Sequence, residues 1–586
     1  MQTLGAGGTQ SSITESNDAT RYLATNIYGE YEDTFADKHY FKAMAGWNYE
    51  QSRYKQISEY NEDLLTPDVE NLQLAFGTDN KGVSSSWSAY DFGGFFGRLN
   101  YIYADRYLIE LNGRYDVSSR FPVNNRWAFF PSVSVGWRIT EEPWWHVNPD
   151  FISILKLRAS VGSLGNASGL GNYQYKQTLS VSSTKINDTW WRSISNPAAL
   201  PEDLTWETAT TYDGGIDFAF LNGKLSGSAD YYVRKTKDMI VAGPTVPDVF
   251  GASSPKGNYA DLSTYGFEVS LTWKDRFELG GKPFNYSFRA TLSDYYSIID
   301  KYNNAQKTLS TYANQSLNGN YYEGMRIGEL WGFVINGLWQ NQADIDAAQA
   351  GAVAAGQRYY NPLARHTKDY LLRLGDPKFE DLNGNGYIDY GSNTADDPGD
   401  RKIIGNEEPR YMYSFTINAD WNNFWLTAFF QGVGKQDWYP SGDSMFWGQY
   451  NRTYNQVPKW QLGNYWTEDN TDAYMPRYSG KNEIFSNGHK FANTRYLQNA
   501  AYIRLKNLQF GYKLPRKWTN KINIEQIGVY FSGENIWTWS PLYKLTRGIN
   551  VTNIGGPDVD FYIETNNDGN NYPILSTFSL GLNITF

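Results

Sequence analysis

The last residues of the chain alternate without a break. Phe578, Leu580, Leu582, Ile584 and Phe586 take the even positions, and Thr577, Ser579, Gly581, Asn583 and Thr585 the odd ones. Successive side chains of a β-strand point to opposite faces, so this segment is apolar on one face and polar on the other. A strand of a water-soluble sandwich has the same period. A strict dyad that runs to an aromatic carboxyl-terminal residue is the pattern of the closing strand of an outer-membrane β-barrel. Such a chain crosses the bilayer on strands, and no apolar run in this sequence is long enough to cross as a helix.

The pattern recurs along the chain. Residues 20–35 place Leu23, Ile27, Tyr31 and Phe35 on one face and Glu30 and Glu32 on the other. After Ala36-Asp37-Lys38, residues Phe41, Ala43, Ala45, Trp47 and Tyr49 alternate with Lys42, Asn48 and Glu50, which predicts a hairpin with a tight turn. A second hairpin turns at residues 104–106. Segments 127–139 and 155–163 alternate in the same way, and 206–220 leads through Asn222-Gly223 into 225–233. Hairpins follow at 265–275 with 284–293 and at 411–421 with 424–431. Strands near 500–514 and 526–538 precede the last one, with a bulge expected where the pattern changes face near Lys506.

The connections alternate in length. Those at 36–38, 104–106, 140–151, 221–224, 276–283, 422–423 and 515–524 are short, and those at 54–86, 117–126, 164–204, 242–258, 299–409, 438–499 and 539–574 are long. Short turns at one rim and long loops at the other are the asymmetry of an outer-membrane barrel, whose long loops face outward. Segments 299–409 and 438–499 are the largest of these expected extracellular loops. Aromatic residues, at 17% of the chain, suit girdles at the two membrane interfaces. The absence of cysteine excludes disulfides and thiol chemistry, and a net charge of −10 argues against a nucleic-acid partner.

The first and last strands both border short-turn edges, so the expected count is odd, about fifteen, whereas bacterial single-chain barrels close with even numbers. An odd open sheet leaves bare backbone edges in lipid. The expectation is therefore that the chain is the carboxyl-terminal portion of a larger barrel, and that its last strand pairs with a strand upstream of Met1. The amino terminus lacks the basic and apolar regions of a signal peptide. The same parity demotes the strand-like Trp331 to Trp339 run to a hairpin within the 299–409 loop.

Several stretches resemble, in order, the SusC/RagA-like TonB-dependent outer-membrane transporters. They include Gly113-Arg114-Tyr115-Asp116, Ser119-Arg120-Phe121, Phe130-Pro131-Ser132-Val133-Ser134-Val135-Gly136-Trp137 and Leu157-Arg158-Ala159-Ser160-Val161-Gly162 with Gly165-Asn166. Leu204-Thr205-Trp206-Glu207, Lys237-Asp238-Met239-Ile240, Gly375-Asp376-Pro377-Lys378-Phe379 and Ile404-Gly405-Asn406 follow. Phe429-Phe430-Gln431-Gly432, Tyr502-Ile503-Arg504-Leu505 and Ser532-Gly533-Glu534-Asn535-Ile536-Trp537 complete the series. The resemblance implies a barrel of 22 strands with an amino-terminal plug, energised by TonB and closed outside by a SusD-like surface lipoprotein. About fifteen strands here leave about seven upstream, restoring the even count. The plug, the TonB-contacting segment and the first strands are missing, so this portion alone should neither gate nor couple to energy.

Two constellations are candidates for binding. Asp381, Asn383, Asn385 and Asp389 occupy positions 1, 3, 5 and 9 of a calcium-loop pattern, with Gly386 at position 6 and the Tyr387 carbonyl at position 7. Position 12 is Ser392, not Glu, so Asp396, Asp397 or Asp400 would have to replace the missing ligand. The bland alternative is an Asn/Gly/Asp turn held by its own side chains. The second candidate is a set of loop aromatics for stacking on substrate: Trp87, Trp190, Trp191, Tyr321, Tyr322, Trp438, Trp447, Tyr450 and Trp460. For any one of them, packing between loops is the competing role.

No catalytic residue is expected. Carboxylates such as Glu110, Asp116, Glu207, Asp213, Asp217 and Asp230 read as a hydrated inner wall, and His39, His146, His366 and His489 form no metal-protease pair. Gly162 to Gly171 has no following helix and is no phosphate loop. Residues 342–357 predict a short packing helix. The leading expectation is import of a glycan or a peptide across the outer membrane, with no required cofactor. The alternative is a secreted, soluble all-β carbohydrate-binding protein or glycoside-acting enzyme, which would place polar residues where the barrel reading places lipid-facing Leu, Phe, Trp and Tyr.

Overall fold

The computed structural model describes residues 11–66, 71–77, 81–177, 179, 181–187, 189–194, 200, 203–243, 249, 254–309, 320–363, 372–440, 446–448, 456–478, 491–552, 554 and 574–586. Fifteen strands form one sheet in chain order. They are β1 (Ser12–Phe35), β2 (His39–Glu62), β3 (Gly82–Tyr103), β4 (Tyr107–Ser118), β5 (Trp127–Arg138), β6 (Ile152–Asn166), β7 (Glu207–Phe220) and β8 (Leu225–Ala242). Then come β9 (Lys256–Leu279), β10 (Lys282–Lys301), β11 (Arg410–Trp421), β12 (Phe424–Lys435), β13 (Tyr502–Lys513), β14 (Gln526–Trp539) and β15 (Thr577–Thr585). The count matches the fifteen expected from alternation alone, and β1 and β15 are the end strands, with one hydrogen-bonded neighbour each.

The tight turns carry consecutive residues into the left-handed region, whose twist matches that of the flanking strands. Ala36 and Asp37 have φ of 49° and 55°, Ala104 and Asp105 51° and 59°, and Asn422 and Asn423 47° and 72°. Between β9 and β10 the turn is Gly280-Gly281, φ 60° and 69°, narrower than the 276–283 connection expected.

The chain divides into two compact units, the first made of Met1–Trp137, Ala159–Tyr212 and Lys235–Asp261 and the second of Arg138–Arg158, Asp213–Arg234 and Leu262–Phe586. In the first, register lines up one apolar row across five strands: Ile27, Trp47, Phe95, Tyr115 and Phe129. All five side chains are exposed although large and apolar. The opposite face carries ion pairs, including Lys42 to Glu30 at 2.9 Å and Arg114 to Asp116 at 2.9 Å.

The second unit repeats the arrangement. Tyr286, Ala419, Leu426, Phe510, Phe531 and Leu580 form a row across six strands. The neighbouring row on the other face is Ser287, Asn418, Thr427, Gln509, Ser532 and Ser579. Here Asn418 donates to Ser287 Oγ at 3.2 Å and Thr427 Oγ1 donates to Asn418 Oδ1 at 2.9 Å. The closing strand carries a further device. A Cβ at Gly581 would collide with the Tyr530 ring, and one at Gly511 would collide with Trp425, so each glycine makes room for a cross-strand aromatic.

Two expectations need correction. Strands β1 and β2 run 24 residues each and β3 runs 22, so the expected 54–86 loop shrinks to 63–81. The apolar stripe ends near Leu23 and Tyr49, well before the strands do. The ladder continues past it with mostly polar side chains. At a rise of ~3.3 Å per residue these strands are far longer than a ~25 Å apolar band requires, even when tilted. The Trp331 to Trp339 run stays outside the main sheet, as expected, but is no hairpin. Glu329–Phe333 pairs with Arg401–Asn406, and Ile335–Leu338 pairs with Pro377–Phe379. The helix spans Gln342–Ala354, capped by the Asn341 side chain and packed through Ile345 and Ala352. The bulge at Lys506 is present: Phe429 pairs with Asn507 and Phe430 with Leu505.

If the apolar rows face lipid, Leu580→Arg should destabilise the folded barrel by about 2–4 kcal/mol, the cost of Arg near a bilayer midplane, while Ser579→Arg on the polar face should cost far less. Equilibrium unfolding of the membrane-inserted protein in lipid vesicles reads the difference.

Candidate functional site

In the first unit, motif stretches that are scattered in sequence converge on one small core. Phe121, Phe130, Leu170, Leu204, Trp206 and Ile240 are all buried together. The Trp206 ring lies 4.8 Å from Phe121, and its Nε1 donates to the Arg126 carbonyl at 3.1 Å. Gly165 leaves the space that the Phe130 ring fills. Glu207 accepts from the Ile240 backbone N–H at 2.8 Å and from Asn166 Nδ2 at 2.7 Å. The glycine-rich 162–171 stretch therefore serves packing. Glu207, expected on the hydrated wall, is a structural acceptor.

Three expected substrate aromatics belong to this unit. Trp87 is 62% exposed and stacks on Tyr173 at 5.8 Å with planes 17° apart. Trp190 and Trp191 are 69% and 59% exposed on a separate hairpin of Val181–Ile186 with Thr189–Ile194, whose residues are exposed throughout. Sequence reasoning missed Tyr173. It holds φ at 66°, a strained setting for a bulky residue, and nothing in the linear pattern signals it.

The loops of the second unit build a substantial core from three segments of chain, within 302–409, 436–501 and 540–554. Phe333, Phe379, Trp438, Phe446, Trp447 and Tyr496 are among its buried members. Trp438 and Trp447, expected to stack on substrate, are 1% and 3% exposed and present no ring face to solvent. Trp460 packs against the same core. Tyr321 and Tyr322 belong to a second cluster with Ile299, Leu309 and Met325, and Tyr322 donates to Glu329 Oε2 at 2.7 Å. Tyr450 lies outside the described residues. Among the described residues of these loops, packing accounts for most of the aromatic content.

Polar groups lock the same loops. Buried Asp376 accepts from Arg477 Nε at 2.7 Å and from the Arg373 backbone N–H at 3.0 Å. Burial raises the Glu329 carboxyl above its ordinary range, opposed by the hydrogen bond from Tyr322. Burial also pulls the Arg401 guanidinium down to about 10.

The Asp381 to Asp389 segment is a turn closed by its own side chains. Asp381 accepts from the backbone N–H groups of Gly384 and Gly386 at 2.6 and 2.7 Å. Asn383 and Asn385 turn their amide nitrogens toward Asp389, at 3.3 and 2.5 Å. Asp400, fully buried, accepts from Leu382 and Asp389 N–H at 2.7 Å each. Burial pushes its carboxyl up, and those backbone bonds oppose the shift. Among the described residues no three His, Asp or Glu side chains are arranged around one point. A cation here would need the two amides to swing their oxygens inward. Ser392 bonds to Asp397 Oδ2, so the candidate replacement ligand Asp397 is already engaged.

The polar wall carries ion networks. Arg158 bridges Asp217 and Asp230, each at 2.9 Å, with Lys156 3.7 Å from Asp217. Two wall clefts lie in the second unit. One has about 470 Å³ of space, between Trp425, Gln509, Lys513, Tyr530 and Asn583, and the other about 440 Å³, beside Lys224, Asp275 and Asp420. His39 bonds to the Tyr101 hydroxyl at 2.8 Å, a structural role, and His366 and His489 lie outside the described residues.

Residues 2–374 match the family model of the TonB dependent receptor-like β-barrel. The chain belongs to that family. It is 28% identical over 587 residues to TonB-dependent receptor P3 of Formosa agariphila, covering 99% of this chain and 54% of that protein. To TonB-dependent receptor SusC of Bacteroides thetaiotaomicron it is 27% identical over 590 residues, covering 97% and 51%. The chain thus spans about half the length of the curated relatives it matches. A chain of the RagAB peptide transporter superposes with a TM-score of 0.69 at 22% identity, over 91% of this chain and 53% of that one, a likeness of fold. This chain is an antiparallel barrel wall of the outer membrane, from the family of TonB-dependent receptor barrels.

Proposed function

We propose that the protein carrying this chain imports a nutrient oligosaccharide or peptide across the outer membrane, with this chain as most of the conduit wall and much of the outward-facing loop surface. The observation that carries the reading is the segregation of the sheet into apolar rows such as Ile27, Trp47, Phe95, Tyr115 and Phe129 and a polar face rich in ion pairs. A wall built this way separates lipid from a hydrated lumen. A soluble carbohydrate-binding protein or glycosidase would expose those rows to water, so that reading is disfavoured. Asp116, Asp217 and Asp230 of the wall are each engaged by an arginine, which favours a role as wall charges over general acid/base catalysis.

The end strands β1 and β15 each have one neighbour, and bare strand edges are costly in hydrocarbon. We infer that further strands and a plug from the rest of the protein complete the barrel, that TonB acts through that part, and that a SusD-like surface lipoprotein covers the loops. The exposed Trp190 and Trp191 are the best placed of the expected aromatics to meet cargo. The test is uptake of labelled oligosaccharides and peptides by cells expressing the whole protein with its lipoprotein partner. Trp190→Ala with Trp191→Ala should weaken half-saturation by roughly two- to tenfold per ring, the range for a lost aromatic contact. Uptake unchanged in a strain lacking the protein would refute import.

We also propose that the Asp381, Asn383, Asn385, Tyr387 and Asp389 turn takes a calcium ion that stiffens the loop. Calcium should then slow proteolysis within residues 381–400, and Asp389→Ala should remove that protection. Equal cleavage with calcium and with chelator would leave the turn as a self-bonded one.

A further inference from the structure

The long strands of the first unit extend the lipid-facing parity beyond the apolar band. Reading outward from the row of Thr25 and Tyr49, the next rows hold Leu23 with Gln51, then Arg21 with Arg53, then Ala19 with Lys55 and Trp87. Arg21 and Arg53 stand directly opposite each other, an arrangement that costs energy unless anions compensate it. Arg53 is compensated by Asp91, which it meets at 2.9 and 3.0 Å. Arg21 and Lys55 are exposed, and among the described residues neither has a carboxylate at ion-pair distance.

Trp87 lies directly across from Lys55, 62% exposed on the same face. Its partner Tyr173 carries the Lys176 ammonium 5.6 Å above its ring, and Lys176 too lacks a carboxylate partner among the described residues. The next acids of this face along β1 and β2, Glu15 and Glu59, stand opposite each other four residues beyond Lys55, ~13 Å further out. Three cations without a carboxylate partner among the described residues thus lie on the rows and loop beside an exposed indole, in a chain of net charge −10.

The level of this patch says what it meets. Beyond Leu23, where the apolar stripe ends, Arg21 lies two residues out and the row of Lys55 and Trp87 four, ~7 and ~13 Å along the strand, or ~5 and ~10 Å along the membrane normal at a tilt of about 40°. That is the depth of the headgroup layer just outside the hydrocarbon core. An indole suits this interface, and long cationic side chains reach along it toward anions.

We propose that Arg21, Lys55 and Lys176, grouped around Trp87 on the outer surface of the wall, bind the phosphate-bearing headgroup of an outer-leaflet lipid. The site goes beyond import and rests only on the membrane placement of the apolar rows. Each cation near an anionic lipid surface contributes roughly fivefold to binding.

The experiment uses the whole purified protein in detergent, titrated with bis-phosphorylated lipid A, with the same lipid after dephosphorylation, and with inorganic phosphate, and read by native mass spectrometry. The site requires that the bis-phosphorylated lipid bind the wild type at least about tenfold more tightly than the Arg21→Gln, Lys55→Gln, Lys176→Gln variant. It also requires that dephosphorylation erase the difference and that Arg98→Gln on the opposite face leave binding unchanged. Equal lipid binding by wild type and variant overturns the proposal. Displacement of the lipid by equimolar inorganic phosphate overturns it as a lipid site. Heat-modifiable migration of both proteins on a gel, scored separately, reports barrel integrity, so failure of the membrane reading is distinguishable from failure of the lipid site.

Discussion

Hydrocarbon offers a peptide group no hydrogen-bonding partner, so a chain that crosses it on strands must bond every backbone N–H and C=O to a neighbouring strand. Everything else in this protein follows from that ladder. Fifteen strands run in chain order because each tight turn returns the chain beside the strand it has just left. Once the ladder is set, its pleat assigns every side chain to one of two solvents, and a slip of one residue would send the whole set of Leu, Phe and Trp into the lumen. Register is pinned from both sides. On the lipid face, rows such as Leu426, Phe510, Phe531 and Leu580 pack edge to edge, and on the other face Thr427, Asn418 and Ser287 bond in series.

The wall and the loops are built on different physics. In the wall, large apolar residues are exposed by design and the polar face carries ion pairs such as Arg158 with Asp217 and Asp230. In the loops, the usual globular rule returns, with Trp438, Phe446, Trp447 and Tyr496 buried around polar locks such as Asp376 with Arg477. The outward surface can therefore be a defined shape rather than a collection of free loops, and exposed aromatics such as Trp87, Trp190 and Trp191 stand out against it.

How much could be read from the sequence follows the same division. A period of two is a local property, so the strand count, the Asn422-Asn423 turn and even the bulge at Lys506 were readable from residues alone. Strand ends above the membrane were not, because β2 continues to Glu62 after its apolar face stops and only hydrogen bonding to β1 and β3 keeps it extended. The loop aromatics were the least readable. Whether Trp438 meets a ligand or a neighbouring loop depends on long-range contacts, and residue type carries no mark of either. The motif stretches were readable as an ordered series but not as a cluster. Only the fold brings Phe121, Phe130, Gly165 and Trp206 into one small core.

The central claim is that one parity of the sheet faces lipid and the other water. The chain has no cysteine, so single cysteines can be placed at successive positions from 577 to 585 without background. Spin labels there, in the whole protein reconstituted into vesicles, should alternate strictly. Positions 578, 580, 582 and 584 should relax faster with oxygen, which partitions into lipid, and their odd-numbered neighbours should respond to a water-soluble nickel chelate. A profile without period two, or even-numbered positions open to the nickel reagent, would contradict the account.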